Sequence, residues 1–458
     1  MQVIYMATLH KNYITKKLEK INNSYIMKEP AFLKILNEKV KTIRKYMDPI
    51  FVGKVFKRYG ELKLTDYIKK SSTKVNITDS VYETIFFAHS KKILENFDEL
   101  VEYQLKFPAN HIISIKIYHN KNDDETIFSH NVHKIMMRIY NMLILYAKKE
   151  NPETHKTVTD FTYTFFLYNN PRRANHNLGG KKYMKDMNNN ENKCFNISSG
   201  ATIHNNNLIV VSRTEGAIGL LTHEMLHSST LVENTADFFY LSEIEKKYVV
   251  YEMFVNSFAT IIHAYLYSYE YEDESEINKN ILHEICHALF HSARLSINTG
   301  VNIEEFIKSE GKNWYQEAYL YEYINGKLMI LLFFGILFDE TQFGELGKNL
   351  LSLEVGYVDD GDKICLNPLK FIKHIHNIFL RSTESKLLYN VESFFSKLVG
   401  DIDKTTQCGD MIQEYFCLDP MEIEKIRELP LFGGGYKNYK RTYMKYCRKI
   451  NVLLCYNE

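Results

Sequence analysis

The sequence predicts an α+β fold that is mostly helical, with a small mixed sheet running into a histidine-bearing helix and helical regions on either side. Three observations carry this. Runs with helical spacing fill most of the 458 residues, and there are only eight prolines to interrupt them. Three short alternating or β-branched runs cluster between residues 160 and 212. Directly after the last of them comes an apolar lead-in and an HExxH motif, within Gly219–His227.

In chain order, residues 1–75 form a Lys-rich, helical N-terminal region. The amphipathic run Phe32–Tyr46 is expected to stop or kink at Pro49. Its positive faces fit a solvated surface better than a nucleic-acid site. Residues 76–345 form the expected core: a helix near Ser80–Phe97, a strand at His111–Tyr118, and a helix at His130–Lys149. Asp160–Tyr168 alternates and is rich in aromatics, as a half-buried strand should be. Ile197–Ile203 and Leu208–Ser212 are two more strands, separated by the turn-forming His204–Asn207. The polar, Gly- and Asn-bearing stretch Arg172–Lys193 reads as a mobile loop beside the cleft. Residues 346–458 form a helical C-terminal region, with helices near Leu369–Leu380 and Lys386–Val399.

The chemistry is expected at His223, Glu224 and His227. Side chains four apart on a helix stand one above the other, so both imidazoles can aim at one point. Glu224 sits one position round from the first histidine, within reach of a water at that point but not of the ion itself. Two neutral nitrogen ligands, Zn²⁺ with an open position and a carboxylate to take a proton together make hydroxide at neutral pH. A third ligand is needed. Tyr248–His263 reads as one uninterrupted helix, and Glu252 lies on its apolar stretch beside Val249, Phe254, Val255 and Ala259. A carboxylate there is costly to bury without a positive partner. Asn256, one turn later, is placed to hold Glu252 or a ligating histidine from behind.

The order of strand, Pro171–Arg173, Leu178–Gly180, Asn196–Gly200, Ile209–Glu215, HEMLH and Glu252–Ile261 resembles uncharacterised metallopeptidases of large nucleocytoplasmic DNA viruses, as does the later Trp314–Ile324. It covers about residues 155–335. The resemblance implies a gluzincin-like, zincin-type catalytic core in which His223, His227 and Glu252 hold zinc and Glu224 is the base. One departure is Tyr251, where many gluzincins carry Asn before the ligand glutamate. A small sheet feeding the motif helix also looks like thermolysin-like catalytic halves, in which an edge strand pairs with an extended substrate. Ile197–Ile203 is the candidate edge.

A second HExxH match, His283, Glu284 and His287, lies on a helix that continues past His291. No strand precedes it, the run before it is acidic, and Glu304 and Glu305 follow a loop-like stretch. This helix is expected to pack, with its histidines satisfied by ordinary hydrogen bonds.

Composition bounds the rest. Lys and Arg total 57 against 56 Asp and Glu, so no overall field argues for nucleic acid or membrane. Seven cysteines without a CxxC pair fit reduced thiols. The start carries no hydrophobic signal core, and the apolar run Leu328–Phe338 is too short to span a bilayer and fits a buried helix. A cytoplasmic protein is expected, in host cytoplasm or virion if viral. Phe432–Tyr436 lacks the Lys and Ser/Thr of a phosphate loop, and the basic-aromatic stretch from Tyr436 to Lys449 fits a solvated helix better than a nucleic-acid contact.

The sequence therefore predicts a zinc metallopeptidase acting on a protein or peptide substrate. Glu224 takes the proton of the attacking water and passes it to the leaving amine. Tyr321, Tyr323 and His263 are candidates to steady the oxyanion. Two other readings are an inactive zincin-fold scaffold or virion protein, and a metal-free helical interaction protein.

Overall fold

A computed structural model describes residues 30–51, 62–75, 97–107, 111–121, 123–146, 161–167, 200–203, 207–212, 216–228, 250–270 and 322–332, with single positions between 277 and 292. These form an α+β structure around one mixed six-stranded sheet. The strands are β1 (Tyr67–Lys74), β2 (Glu99–Phe107), β3 (His111–His119), β4 (Thr162–Phe166), β5 (Gly200–Ile203) and β6 (Leu208–Ser212), in spatial order β1-β2-β3-β4-β6-β5. Pairs β3–β4 and β4–β6 are parallel and the others antiparallel.

Pattern explains position. In β3, Ile113, Ile115 and Ile117 are fully buried while Ile112 is 59% exposed, so alternate residues face core and solvent. β6 is buried at every residue and β4 at all but Thr162, as central strands covered on both faces must be. The turn from β5 into β6 uses Asn207 in the left-handed region (φ 47°), which Asn tolerates better than most residues. The Asn207 carbonyl accepts from Thr162 N, tying the hairpin to β4.

Among the described residues, helices pack on this sheet and on one another. α1 (Pro30–Phe51) buries Leu36, Val40, Ile43 and Met47, a stripe with steps of four and three. It does not stop at Pro49. Only the last turn has to do without the proline N–H, and tertiary contacts hold that turn: Tyr265 donates to Asp48, and Phe51 stacks on the Tyr265 ring with centroids 4.5 Å apart. α2 (Glu125–Tyr146) starts five residues before the expected His130, because Asp124 caps it by accepting from Thr126 N and Ile127 N. Contacts of Tyr67 with His133, Phe107 with Tyr140, and His119 with Phe128 lay α2 over β1–β3.

The motif helix α3 (Ala217–Ser228) packs against β5, β6, α2 and α4 (Val250–Glu270). Nine of its residues are buried, which is why its hydrophobic pattern does not resolve into one face. Packed against α4 is a separate π-helical turn, Glu322–Gly326, that runs into the buried helical stretch Lys327–Leu332. Gly326 lies against the Met253 side chain so closely that a Cβ there would collide with it. A second apolar cluster, Phe97, Tyr118, Phe166, Leu208 and Val210, takes in Ile203 of β5 at its margin.

The sheet is larger than the three or four strands expected. β1 extends it across residues assigned to the N-terminal region, so the boundary at 75 falls at the end of a core strand. The helix expected near Ser80–Phe97, the loop Arg172–Lys193 and the C-terminal region 346–458 lie outside the described residues, apart from Phe97, which is not helical. No helix among the described residues is long and apolar enough to cross a membrane.

Candidate metal centre

Gly216, whose φ of 69° favours glycine, stands immediately before α3. The Gly216 carbonyl accepts from Leu220 N, so the first helical turn forms at once. Two turns on, His223 and His227 bring their Nε2 atoms to 2.9 Å, with ring centroids 4.7 Å apart. α4 crosses here and delivers Glu252, whose Oε2 is 3.3 Å from His223 Nε2 and whose Oε1 is 3.4 Å from His227 Nε2. The three side chains are 7, 11 and 13% exposed. They form a group that could hold a metal ion, and no other such group occurs among the described residues.

The donor set fits a divalent transition metal. Two nitrogens facing each other at 2.9 Å need a shared proton or an ion between them. Glu252 Oε2 is buried with no well-directed hydrogen-bond donor. Tetrahedral zinc with bonds of 2.0–2.1 Å separates its donors by about 3.3 Å, close to the two spacings of Glu252 from the histidines, while the histidine nitrogens stand nearer each other at 2.9 Å. His₂Glu with one position left open is a set suited to zinc.

Electrostatics reinforce the pairing. Burial alone would raise Glu252, but the close approach and charges of His223 and His227 hold it far below the usual carboxylate range. Burial would lower His227, but the hydrogen bond and charge of Glu252, with Glu224 adding, push it up. In metal-free protein this is one ion pair seen from both ends. The Glu252 share of stability is present above the unfolded value of 4.5 and fades as pH falls through the folded value. The His227 share is full below the unfolded value of 6.5 and is lost as pH rises through the raised one. Metal binding requires neutral imidazole, so it runs the other way. Added zinc is therefore expected to raise the melting temperature increasingly as pH climbs past 6.5. Melts with and without zinc across pH measure this, and a zinc shift largest in acid would count against these ligands.

Glu224 is buried and pushed up from the ordinary carboxylate value by burial, against the lowering effects of His223, His227 and the Thr202 hydroxyl. Its carboxylate lies against β5: Thr202 Oγ1 is 2.8 Å from Glu224 Oε2, and a Cβ on Gly200 would sit 2.5 Å from Glu224 Oε1.

The other expected residues are placed differently. Asn256 Nδ2 donates to the Tyr323 carbonyl 2.9 Å away, in the π-helical turn packed against α4. It thereby holds Tyr323 edge-on to His223, at 5.6 Å between centroids. His263 lies eleven residues further along α4 than Glu252 and bonds to Arg138. Tyr321 is outside the described residues, as are His283 and His287 of the second motif. Glu284 is buried in an ion pair, with Lys327 Nζ 3.0 Å from its Oε2. That carboxylate is held by a cation, which suits the packing role expected for its helix.

Sequence reasoning missed the support behind the site. Arg138 of α2 is fully buried and makes a bidentate pair with Glu270, with Nε to Oε1 at 2.9 Å and Nη2 to Oε2 at 2.8 Å. Its Nη1 also reaches Thr222 Oγ1 at 2.8 Å and His263 Nδ1. Thr222 precedes His223, and Glu270 ends α4, so one guanidinium fastens both ligand-bearing helices. Comparison with protein-family models, curated proteins and solved structures finds no match to this chain.

Proposed function

We propose that the protein is a zinc-dependent hydrolase of the gluzincin type, acting on peptide bonds. The observation that carries this is the meeting of His223, His227 and Glu252 from two helices, with a separate buried carboxylate, Glu224, beside them. A zinc ion held by the three donors would polarise a carbonyl oxygen and bring the pKa of water toward neutrality. Glu224 takes a proton from the attacking water on its carboxylate and returns it to the leaving nitrogen. Its raised pKa suits a group that must release that proton again. Among the described residues β5 is the last strand of the sheet on this side, the position from which a strand pairs with an extended chain through main-chain hydrogen bonds.

The test is metal per chain together with cleavage of a mixed peptide library. Wild type is expected to hold one zinc and to cleave; Glu252→Ala is expected to lose both, and His283→Ala to keep both. Well-folded wild type without metal would overturn the reading. Loss of metal only in His283→Ala would move the site to the second motif.

A further inference from the structure

We propose that Thr202 is a positioning residue that aims the Glu224 carboxylate, so that base and substrate are registered on the same short strand. The proposal rests on the hydrolase reading above. Its footing is the face that β5 turns toward α3. Residues two apart on a strand point the same way, and here Gly200 and Thr202 both meet Glu224. At Gly200 the absent side chain matters: a Cβ would lie 2.5 Å from Glu224 Oε1 and 3.0 Å from both Glu224 Cγ and Leu220 Cδ1. The carboxylate fills that space.

Thr202 supplies the directing contact. Its Oγ1 stands 2.8 Å from Glu224 Oε2 and 2.8 Å from the Glu224 main-chain oxygen. The main-chain oxygen belongs to the helix backbone and anchors the hydroxyl; the carboxylate oxygen is then held relative to that anchor. A hydroxyl carries one proton and serves these oxygens in turn, but it stays between them. β-Branching restricts the Thr202 χ1, so the strand backbone carries the oxygen into place.

Antiparallel pairing of Thr202 with Ile209 and Ile203 with Leu208 fixes β5 from its inner side, and among the described residues no strand pairs with its outer side. A peptide lying along that outer edge would take its register from the same four residues that aim Glu224. Loss of the hydroxyl should therefore damage the chemical step and spare binding.

Thr202→Val keeps the shape and removes the hydroxyl; Thr202→Ser keeps the hydroxyl. For Thr202→Val the expected result is unchanged zinc content and KM with kcat lowered about a hundredfold, the scale of a misplaced catalytic group. Thr202→Ser is expected to recover most of that loss. In crystals of Thr202→Val the carboxylate should have turned away from Gly200, and in Thr202→Ser it should not. A carboxylate unmoved in Thr202→Val, or an unchanged kcat, would overturn the proposal. So would a Thr202→Val protein that loses zinc or fails to fold while Thr202→Ser does neither, because the hydroxyl would then be needed for something other than aiming the base. If wild type binds zinc but cleaves nothing, the hydrolase reading falls, and the two crystal structures alone decide whether Thr202 aims the carboxylate.

Discussion

Arg138→Met is expected to lower folding stability by about 3–5 kcal/mol, the cost of leaving one member of a buried ion pair without its partner. The Arg138 side chain is fully buried and that of Glu270 is 4% exposed, so water cannot replace the lost donors. Asn141 Nδ2, 3.2 Å from Glu270 Oε1, would remain as a neutral donor and cannot balance the charge. Thr222 and His263 lose a partner as well. Because Thr222 already donates to Ile218 O, its oxygen is oriented toward the guanidinium and would face a methionine with an acceptor exposed. Two measurements follow: urea unfolding of metal-free protein, and zinc affinity. The affinity should fall about tenfold or more, as when a group supporting metal ligands is removed. A second substitution, Glu270→Leu, should restore part of the stability by removing the stranded charge, but not the fastening of α3 to α4. An Arg138→Met loss below about 1 kcal/mol, the range of exposed pairs, would show that the network carries no structural load.

The sequence reveals the parts of this arrangement that follow from local periodicity. The i, i+4 spacing of His223 and His227 is a property of one helix, and Glu252 stands out as a carboxylate in an apolar run. β3, β4 and β6 announce themselves through β-branched and aromatic residues, and Leu208–Ser212 matches its expected bounds. What stays hidden depends on partners far away in the chain. β1 carries three lysines, and no residue in it is fully buried; pairing with β2 makes it a strand, not a pattern of its own. Arg138 sits in a run that reads as amphipathic, where an arginine normally marks the solvated side; only Glu270, 132 residues later, accounts for its burial. Asn256 Nδ2 donates to the π-helical turn, a partner whose location no helical repeat predicts. α4 likewise runs to Glu270 because its far end is held by Arg138 and Asn141.

Glu224→Gln separates an enzyme from a metal-holding scaffold. The glutamine has the same size, fits the space beside Gly200, and still offers Thr202 an oxygen, so folding and zinc content should be unchanged. Glu224 lies outside the group of three that could hold a metal ion. What disappears is the capacity to take a proton, and hydrolysis is expected to fall by about 10²–10⁴-fold, the usual weight of a general base. A scaffold would have little reason to keep the carboxylate. It is buried, its pKa is raised by that burial, and the charges acting on it come from the ligand residues alone. An apolar side chain of similar volume would avoid the desolvation cost and pack equally well between α3 and β5. Stability therefore gives a second readout: Glu224→Gln should be no less stable than wild type at pH values above 4.5, where the unfolded carboxylate is ionised and the folded one resists ionisation. A variant that keeps zinc and gains or holds stability while losing cleavage would mark Glu224 as a residue kept at a cost to the fold for its chemistry. Undiminished cleavage would remove Glu224 from the mechanism and leave the ligand triad without its base.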